Sequence, residues 1–252
     1  MNTIDDVIRE MDRIVDECSK EQLRAGYFAI LYRMVTIRVK EEIEKGAFQD
    51  VARMERLDMI FAKRFFDAFD AWRSGDTPTH SWEVAFEASA ESRHLVLQQM
   101  LLGINAHINL DLGIAASETI QETGGRLDDI RDDYMKINEI LQAMVDRVRT
   151  NIGTVSPLFR LLIRPAGGRD DMFINFSIVA ARDGAWLFAQ RYYTSADKQT
   201  LLNERDMTIA ALGRRIITPG RWTSAVLRMI RTGEHHSPDE VMRRLGSAVK
   251  SK

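Results

Sequence analysis

Apolar residues recur every three to four positions along almost the whole chain, and no stretch alternates apolar and polar residues between turn signals. That pattern predicts helices throughout. Thr3 is placed to cap a first helix to about Leu23, with Ile4, Val7, Ile8, Met11, Ile14, Val15 and Cys18 on its buried stripe. A second helix is expected from about Tyr27 to Lys45, stopped by Gly46. A third is expected from about Asp50 to Trp72, buried through Met54, Leu57, Phe61, Phe65, Ala68, Phe69 and Trp72. Ser74-Gly75-Asp76-Thr77-Pro78 breaks it. Residues 81–116 are apolar nearly all round and read as one long or two consecutive central helices. Further helices are expected over 127–149, from Ser156-Pro157 onward, over 171–193 after a loop at 165–169, and over 197–217, 219–231 and 238–249. Ser237-Pro238-Asp239-Glu240 opens the last with a capping-box pattern. The sum is an all-α fold: a single helical bundle of about eight to ten helices around a central buried helix. Residues 1–193 form the bundle domain, and 194–252 a helical C-terminal extension packed on it.

Composition supports a folded chain: of 252 residues 45% are apolar, 29% charged and only 5 are proline. Lys+Arg 35 against Asp+Glu 37 leaves a net charge of −2, which excludes a polyanion binder working through bulk charge. The charge is uneven: residues 194–252 carry net +5 and residues 1–193 net −7. A basic tail can meet nucleic acid or anionic lipid, but its arginines lack interleaved aromatics or a reading motif. It therefore reads as a solvated helical face or a self-association surface, with no nucleic-acid partner. The single cysteine, Cys18, allows no internal disulfide and no CxxC knuckle, and sits on a core stripe. The acidic N-terminus lacks the basic and apolar regions of an export signal. The most apolar stretch, Leu95 to Ala116, carries Gln98, Gln99, Asn105, His107, Asn109 and Asp111, too many polar groups for a membrane span. A cytoplasmic location is expected, with homo-oligomerisation left open.

Function in a helical protein is sought where the apolar stripe is interrupted, since a buried polar group without a partner costs roughly 1–3 kcal/mol. The richest interruption runs from Gly103 to Gly113. His107 and Asp111, four apart, share a helical face, while Asn105 and Asn109 share the opposite one. His-x-x-x-Asp can present imidazole and carboxylate to one divalent ion, Zn²⁺, Fe²⁺ or Mg²⁺. Asp58 lies on the stripe of its own helix, Asp133 and Asn138 flank that of theirs, and Arg182 interrupts another. Asp58, Asp111 and Asp133 can converge with His107 around a metal, or be neutralised by Arg182 in a buried network. Asp128-Asp129-Ile130-Arg131-Asp132 contains the DDxxD string of Mg²⁺-diphosphate sites, but its acids point away from the apolar stripe. Glu91-Ser92-Arg93-His94 has ExxH spacing without the second copy that a di-iron bundle needs. Nucleophile triads, phosphate loops and dinucleotide fingerprints are absent.

Several segments occur together in a recognisable combination: Tyr27 to Thr36, Arg53 to Asp58 with Phe61-Ala62, Leu101 to Ala115 with its NAHINLDLGIA string, and Asp133-Tyr134 with Ile137-Asn138. Over residues 4–190 they resemble an uncharacterised bacterial all-helical family, a domain of unknown function. The resemblance implies a compact helical fold and supplies no catalytic residues.

Two readings follow. In the first, an interior pocket with His107, Asp111, Asp58 and Asp133 as metal ligands or acid–base groups acts on a small, largely apolar molecule in hydrolase- or lyase-like chemistry. Asn105, Asn109, Asn138 and Arg182 would contact its polar groups, and Tyr27, Phe61, Phe65 and Trp186 its apolar body. In the second, the polar interior only locks the packing of a scaffold or small-ligand carrier. A Mg²⁺-dependent isoprenoid-diphosphate enzyme is a third alternative.

Overall fold

A computed structural model describes residues 2–158 and 178–247. Among them are eleven α-helices and no strand: α1 (Ile4–Lys20), α2 (Gly26–Glu44), α3 (Val51–Ser74), α4 (His80–Ala90), α5 (Val96–Ala106), α6 (Leu112–Thr123), α7 (Arg131–Val155), α8 (Ile178–Thr194), α9 (Lys198–Ile217), α10 (Arg221–Arg231) and α11 (Pro238–Ser247). A π turn, His107–Asp111, joins α5 to α6, and a 3₁₀ turn, Leu127–Ile130, leads into α7. The count exceeds eight to ten because the apolar run at 81–116 is broken after Ala90 and belongs to three helices. The helix expected to run on from Ser156-Pro157, the loop at 165–169 and the start of the helix expected at Asp171 lie outside the described residues.

Local signals set most boundaries. Thr3 and Asp6 exchange bonds at the start of α1: Asp6 N–H donates to Thr3 Oγ1 at 3.2 Å and Thr3 N–H to Asp6 Oδ2 at 3.1 Å. Asp50 and Asp197 accept from the third residue onward and so open α3 and α9. Gly75, in the left-handed region at φ 83°, ends α3.

Other helix starts are satisfied from a distance. The buried Asp133 carboxylate accepts the N–H groups of Gln49 (2.8 Å) and Asp50 (2.9 Å) just before α3. Buried Asp206 accepts from His80 (2.7 Å) and Ser81 (2.9 Å) at the head of α4, and Glu234 from Val96 (3.1 Å) at the head of α5. Each acid meets unpaired donors at the positive end of a helix, so each is a tertiary staple.

The main core joins Val7, Met11, Phe28, Phe65, Phe69, Trp82, Phe86 and Leu102 to Ala210, Leu227, Ile230, Val241, Met242 and Leu245. The C-terminal helices thus share the core of the bundle. A second core joins α2, α3, α6, α7 and α8 around Leu57, Ile120, Tyr134 and Trp186. Helix α5 packs on α2, α4 and α9, whereas α6 packs on α3 and α8. No helix among the described residues is long and apolar enough to cross a membrane.

Candidate functional site

The π turn lies where these two packing directions meet. Leu112 N–H donates to the His107 carbonyl, five residues back, instead of one four back. The extra residue rotates the buried face of α6 relative to that of α5, by roughly 100°. Such single-turn widenings recur at functional sites, and this one carries both His107 and Asp111.

Asp111 is buried and fully engaged. Its Oδ1 accepts from Arg64 Nε at 2.9 Å, and its Oδ2 from Trp82 Nε1 at 2.8 Å and His107 Nδ1 at 3.2 Å. Burial alone would push this carboxyl up. The Arg64 charge and the bonds from His107 and Trp82 outweigh it and hold the group below the ordinary aspartate value. Asp111 is therefore an anion with three donors. Burial in turn keeps His107 below the ordinary histidine value despite Asp111 beside it, so near neutral pH the ring is uncharged. An anionic acceptor at Nδ1 fixes the tautomer: Nδ1 carries the hydrogen and Nε2 a bare lone pair.

Among the described residues that lone pair has no partner. His107 Nε2, Tyr32 OH, Thr36 Oγ1 and Asp58 Oδ2 are all buried polar atoms without a hydrogen bond. Tyr32 and Thr36 are one turn apart on α2, and the Tyr32 ring centre lies 4.5 Å from that of His107. Burial raises the Tyr32 phenol well above its ordinary value, the charges of Asp58 and Asp111 act in the same direction, and the neighbouring Thr36 hydroxyl opposes them to a smaller extent. Phe61 stacks flat on the imidazole, centres 3.5 Å apart and planes 8° from parallel. Phe61 is partly exposed and His107 is not, so one phenyl ring separates the imidazole from its surroundings on that side. Phe28, Phe65 and Trp82 complete the walls at 5.6, 6.2 and 6.0 Å. A groove of about 860 Å³ is lined by Arg56, Met59, Lys63, Arg64, Glu118 and Glu122 among others. Arg64 is a wall of this groove and the counter-ion of Asp111 at once.

Asp58 is raised to about 7, chiefly by burial and secondarily by Glu55. The unfolded chain releases this proton near ~3.9, so between roughly pH 4 and 7 the folded state holds more protons and loses stability as pH rises. Asp58→Asn removes that slope. The variant matches wild type near pH 4 and exceeds it by on the order of 2 kcal/mol above pH 7, after allowance for its partly exposed side. Urea denaturation across pH 4–8 measures the difference.

Of the residues singled out in the sequence, His107 and Asp111 are bonded to each other, Phe61 and Phe65 pack around the imidazole, and the charge of Asp58 reaches Tyr32. Asp133 does not join them, being spent on the head of α3. Arg182 does not neutralise Asp111. It donates to Asn138 Oδ1 and, at 2.5 Å, to the Tyr134 carbonyl, and the Tyr134 hydroxyl donates to the Arg182 carbonyl at 2.7 Å, clamping α7 to α8. Asn105 donates to the Ile209 carbonyl (3.0 Å) and Asn109 to Asn105 (3.0 Å), which ties the π turn to α9. Trp186 packs on Tyr134, 4.9 Å between centres, and Tyr27 lies among Arg24, Arg231 and Glu234. All four residues expected to contact substrate make hydrogen bonds within or between helices.

The metal pairing of His107 with Asp111 also changes meaning. Among the described residues no three His, Cys, Asp or Glu side chains gather as an ion needs. Both Asp111 oxygens are already bonded, one of them to His107 Nδ1. Asp128, Asp129 and Asp132 are exposed. Asp129 accepts from Arg126 N–H and Asp132 from the Gln49 amide, as acids of a solvated face do. Arg64, Trp82, Tyr32 and Thr36 were not foreseen. Arg64 sits on the edge of the α3 stripe between Phe61 and Phe65, and a buried indole always asks for an acceptor.

A family model matches residues 4–219, that of DUF5995, a family of unknown function. The match extends past residue 190 to include α9. No curated protein and no solved structure matches the chain.

Proposed function

The chain belongs to this family, and from its own residues we propose that it is a small-molecule enzyme in which His107 acts as a general base, oriented by Asp111, in hydrolase- or lyase-like chemistry. One observation carries the reading: Nε2 of a neutral, tautomer-fixed histidine is buried and unpaired. A lone pair in that state accepts a proton from a substrate O–H or C–H, or from water, placed against it, and Asp111 stabilises the imidazolium that forms. Asp58, still protonated up to about pH 7, supplies the complementary acid. Burial moves the two groups in opposite directions, the carboxyl up and the imidazole down, which leaves a protonated acid beside a neutral base. Tyr32, beside His107 and within the field of Asp58, gives a hydroxyl to a polar group of the ligand. The aromatic walls suit a largely apolar body, and Phe61 must swing aside to admit it.

The test is a thermal-shift and turnover screen of small apolar esters, lactones and secondary alcohols against wild type and His107→Gln. The expected result is a compound class that stabilises wild type and not the variant. Its turnover rises through one ionisation below the ordinary histidine value and falls about 10²–10⁴-fold in the variant.

The second reading, a scaffold whose polar interior locks packing, has its own support in the five rings closed around the imidazole. Tyr32→Phe separates the two. If the phenol is kept for a ligand, removing an unpaired buried hydroxyl raises stability by about 1 kcal/mol. If the hydroxyl instead engages Thr36 to lock α2, the variant is less stable than wild type in the same urea titration.

A further inference from the structure

Between Asp206 and Glu234 the chain carries five arginines and no acidic residue. The fold concentrates four of them around one helix. Helix α10 buries Leu227 and Ile230 against the main core, but Trp222, Val226 and Met229, at spacings of four and three, stand on its other face. Their exposures are 90%, 39% and 57%. Arg221 and Arg228 are exposed on the same helix, and Arg214 and Arg215 on the last turns of α9, across the short link Thr218-Pro219-Gly220. Among the described residues none of these four has an ion pair, whereas Arg231 is anchored to the Ser92 carbonyl at 2.7 Å and to that of Glu234. An outward tryptophan, with valine and methionine one and two turns beyond it and unpaired arginines beside them, is the composition of a helix lying in a lipid interface. The indole sits at headgroup depth, and the arginines reach phosphates along their aliphatic stems.

We infer that α10, with the end of α9, docks on an anionic lipid surface. A second copy of the chain is disfavoured, since a two-fold contact would set this acid-free arginine patch against itself. Single-stranded nucleic acid is disfavoured as well: binding it needs successive stacking rings, and the patch offers one. Helix α10 lies beyond residue 219, where the family match ends, while Arg214 and Arg215 lie within it. The surface is independent of the His107 chemistry.

The experiment is flotation of the full chain with vesicles of phosphatidylcholine alone or with about a third phosphatidylglycerol. Binding is expected to the anionic vesicles only, falling several-fold between roughly 0.05 and 0.5 M salt. Arg221→Glu with Arg228→Glu lowers the partition at least about tenfold, and Trp222→Ser several-fold, with melting temperatures unchanged. Absence of flotation with either vesicle overturns the proposal, as does equal binding to both. So does a concentration-dependent dimer that Trp222→Ser abolishes, or retention of an RNA oligonucleotide without vesicle binding.

Discussion

Arg64→Met lowers the unfolding free energy at pH 7 by about 3–5 kcal/mol. Methionine keeps most of the aliphatic volume, so the loss is electrostatic. Asp111 is 1% exposed, and without the guanidinium its charge rests only on the indole and imidazole N–H groups. The carboxylate cannot escape to water, so it either stays charged at a cost or takes a proton. Wild-type Asp111 is held below the ordinary value, so its contribution is present above roughly pH 4 and fades only as pH falls through its lowered pKa. In Arg64→Met the buried group protonates more readily, and the deficit therefore shrinks as pH is lowered. Asp111→Asn in the same background removes the charge that Arg64 balanced, so the double variant loses less than the sum of the two singles. Urea titrations of the four proteins at pH 7 and 4 give the cycle. A single-variant loss below about 1 kcal/mol would mean that the ion pair is not what holds Asp111 charged.

This pairing shows where the sequence could be read and where it could not. Helix positions follow from spacing and capping, which are local, so α1 starts at its Thr3 cap and α3 stops at Gly75. The polar segment around His107 was legible for the same reason: too many polar groups stood on an apolar rod. Partner identity was not, because it depends on which helices meet. Asp58, Asp111 and Asp133 looked alike as acids facing inward. Tertiary packing gave Asp111 an arginine, an indole and an imidazole, gave Asp133 two backbone N–H groups, and left one Asp58 oxygen with nothing. Arg182 was the only counter-ion the pattern offered, and the juxtaposition of α3 with the π turn brings Arg64 to Asp111 instead. The π turn itself leaves no mark in periodicity, since five residues are too few to show a changed repeat.

Gly113→Ala is expected to cost about 3 kcal/mol, against the helix-propensity gain of about 1 kcal/mol that alanine brings to a helix interior. An added Cβ would stand 2.6 Å from the Ala185 carbonyl oxygen, 2.9 Å from the Phe188 ring and 3.3 Å from the Ala189 nitrogen. Two of those atoms are backbone, so α6 and α8 must separate; no side chain can simply turn away. Gly103 differs, because there the clash is with the Phe28 side chain alone. Gly184, also within a helix, is the control: among the described residues its added Cβ would meet only an Arg205 nitrogen at 3.7 Å, and Gly184→Ala should stabilise by roughly 0.5–1 kcal/mol. Opposite signs for two identical substitutions would establish that the close approach of α6 to α8, and not glycine content, is what matters. The consequence reaches the site. Gly113 is two residues past Asp111, so moving α6 off α8 pulls the carboxylate away from Arg64 and Trp82 and loosens the bond to His107 Nδ1. The imidazole ¹⁵N shifts should then move from a single fixed tautomer in wild type toward a mixture in Gly113→Ala, while Gly184→Ala retains the wild-type spectrum.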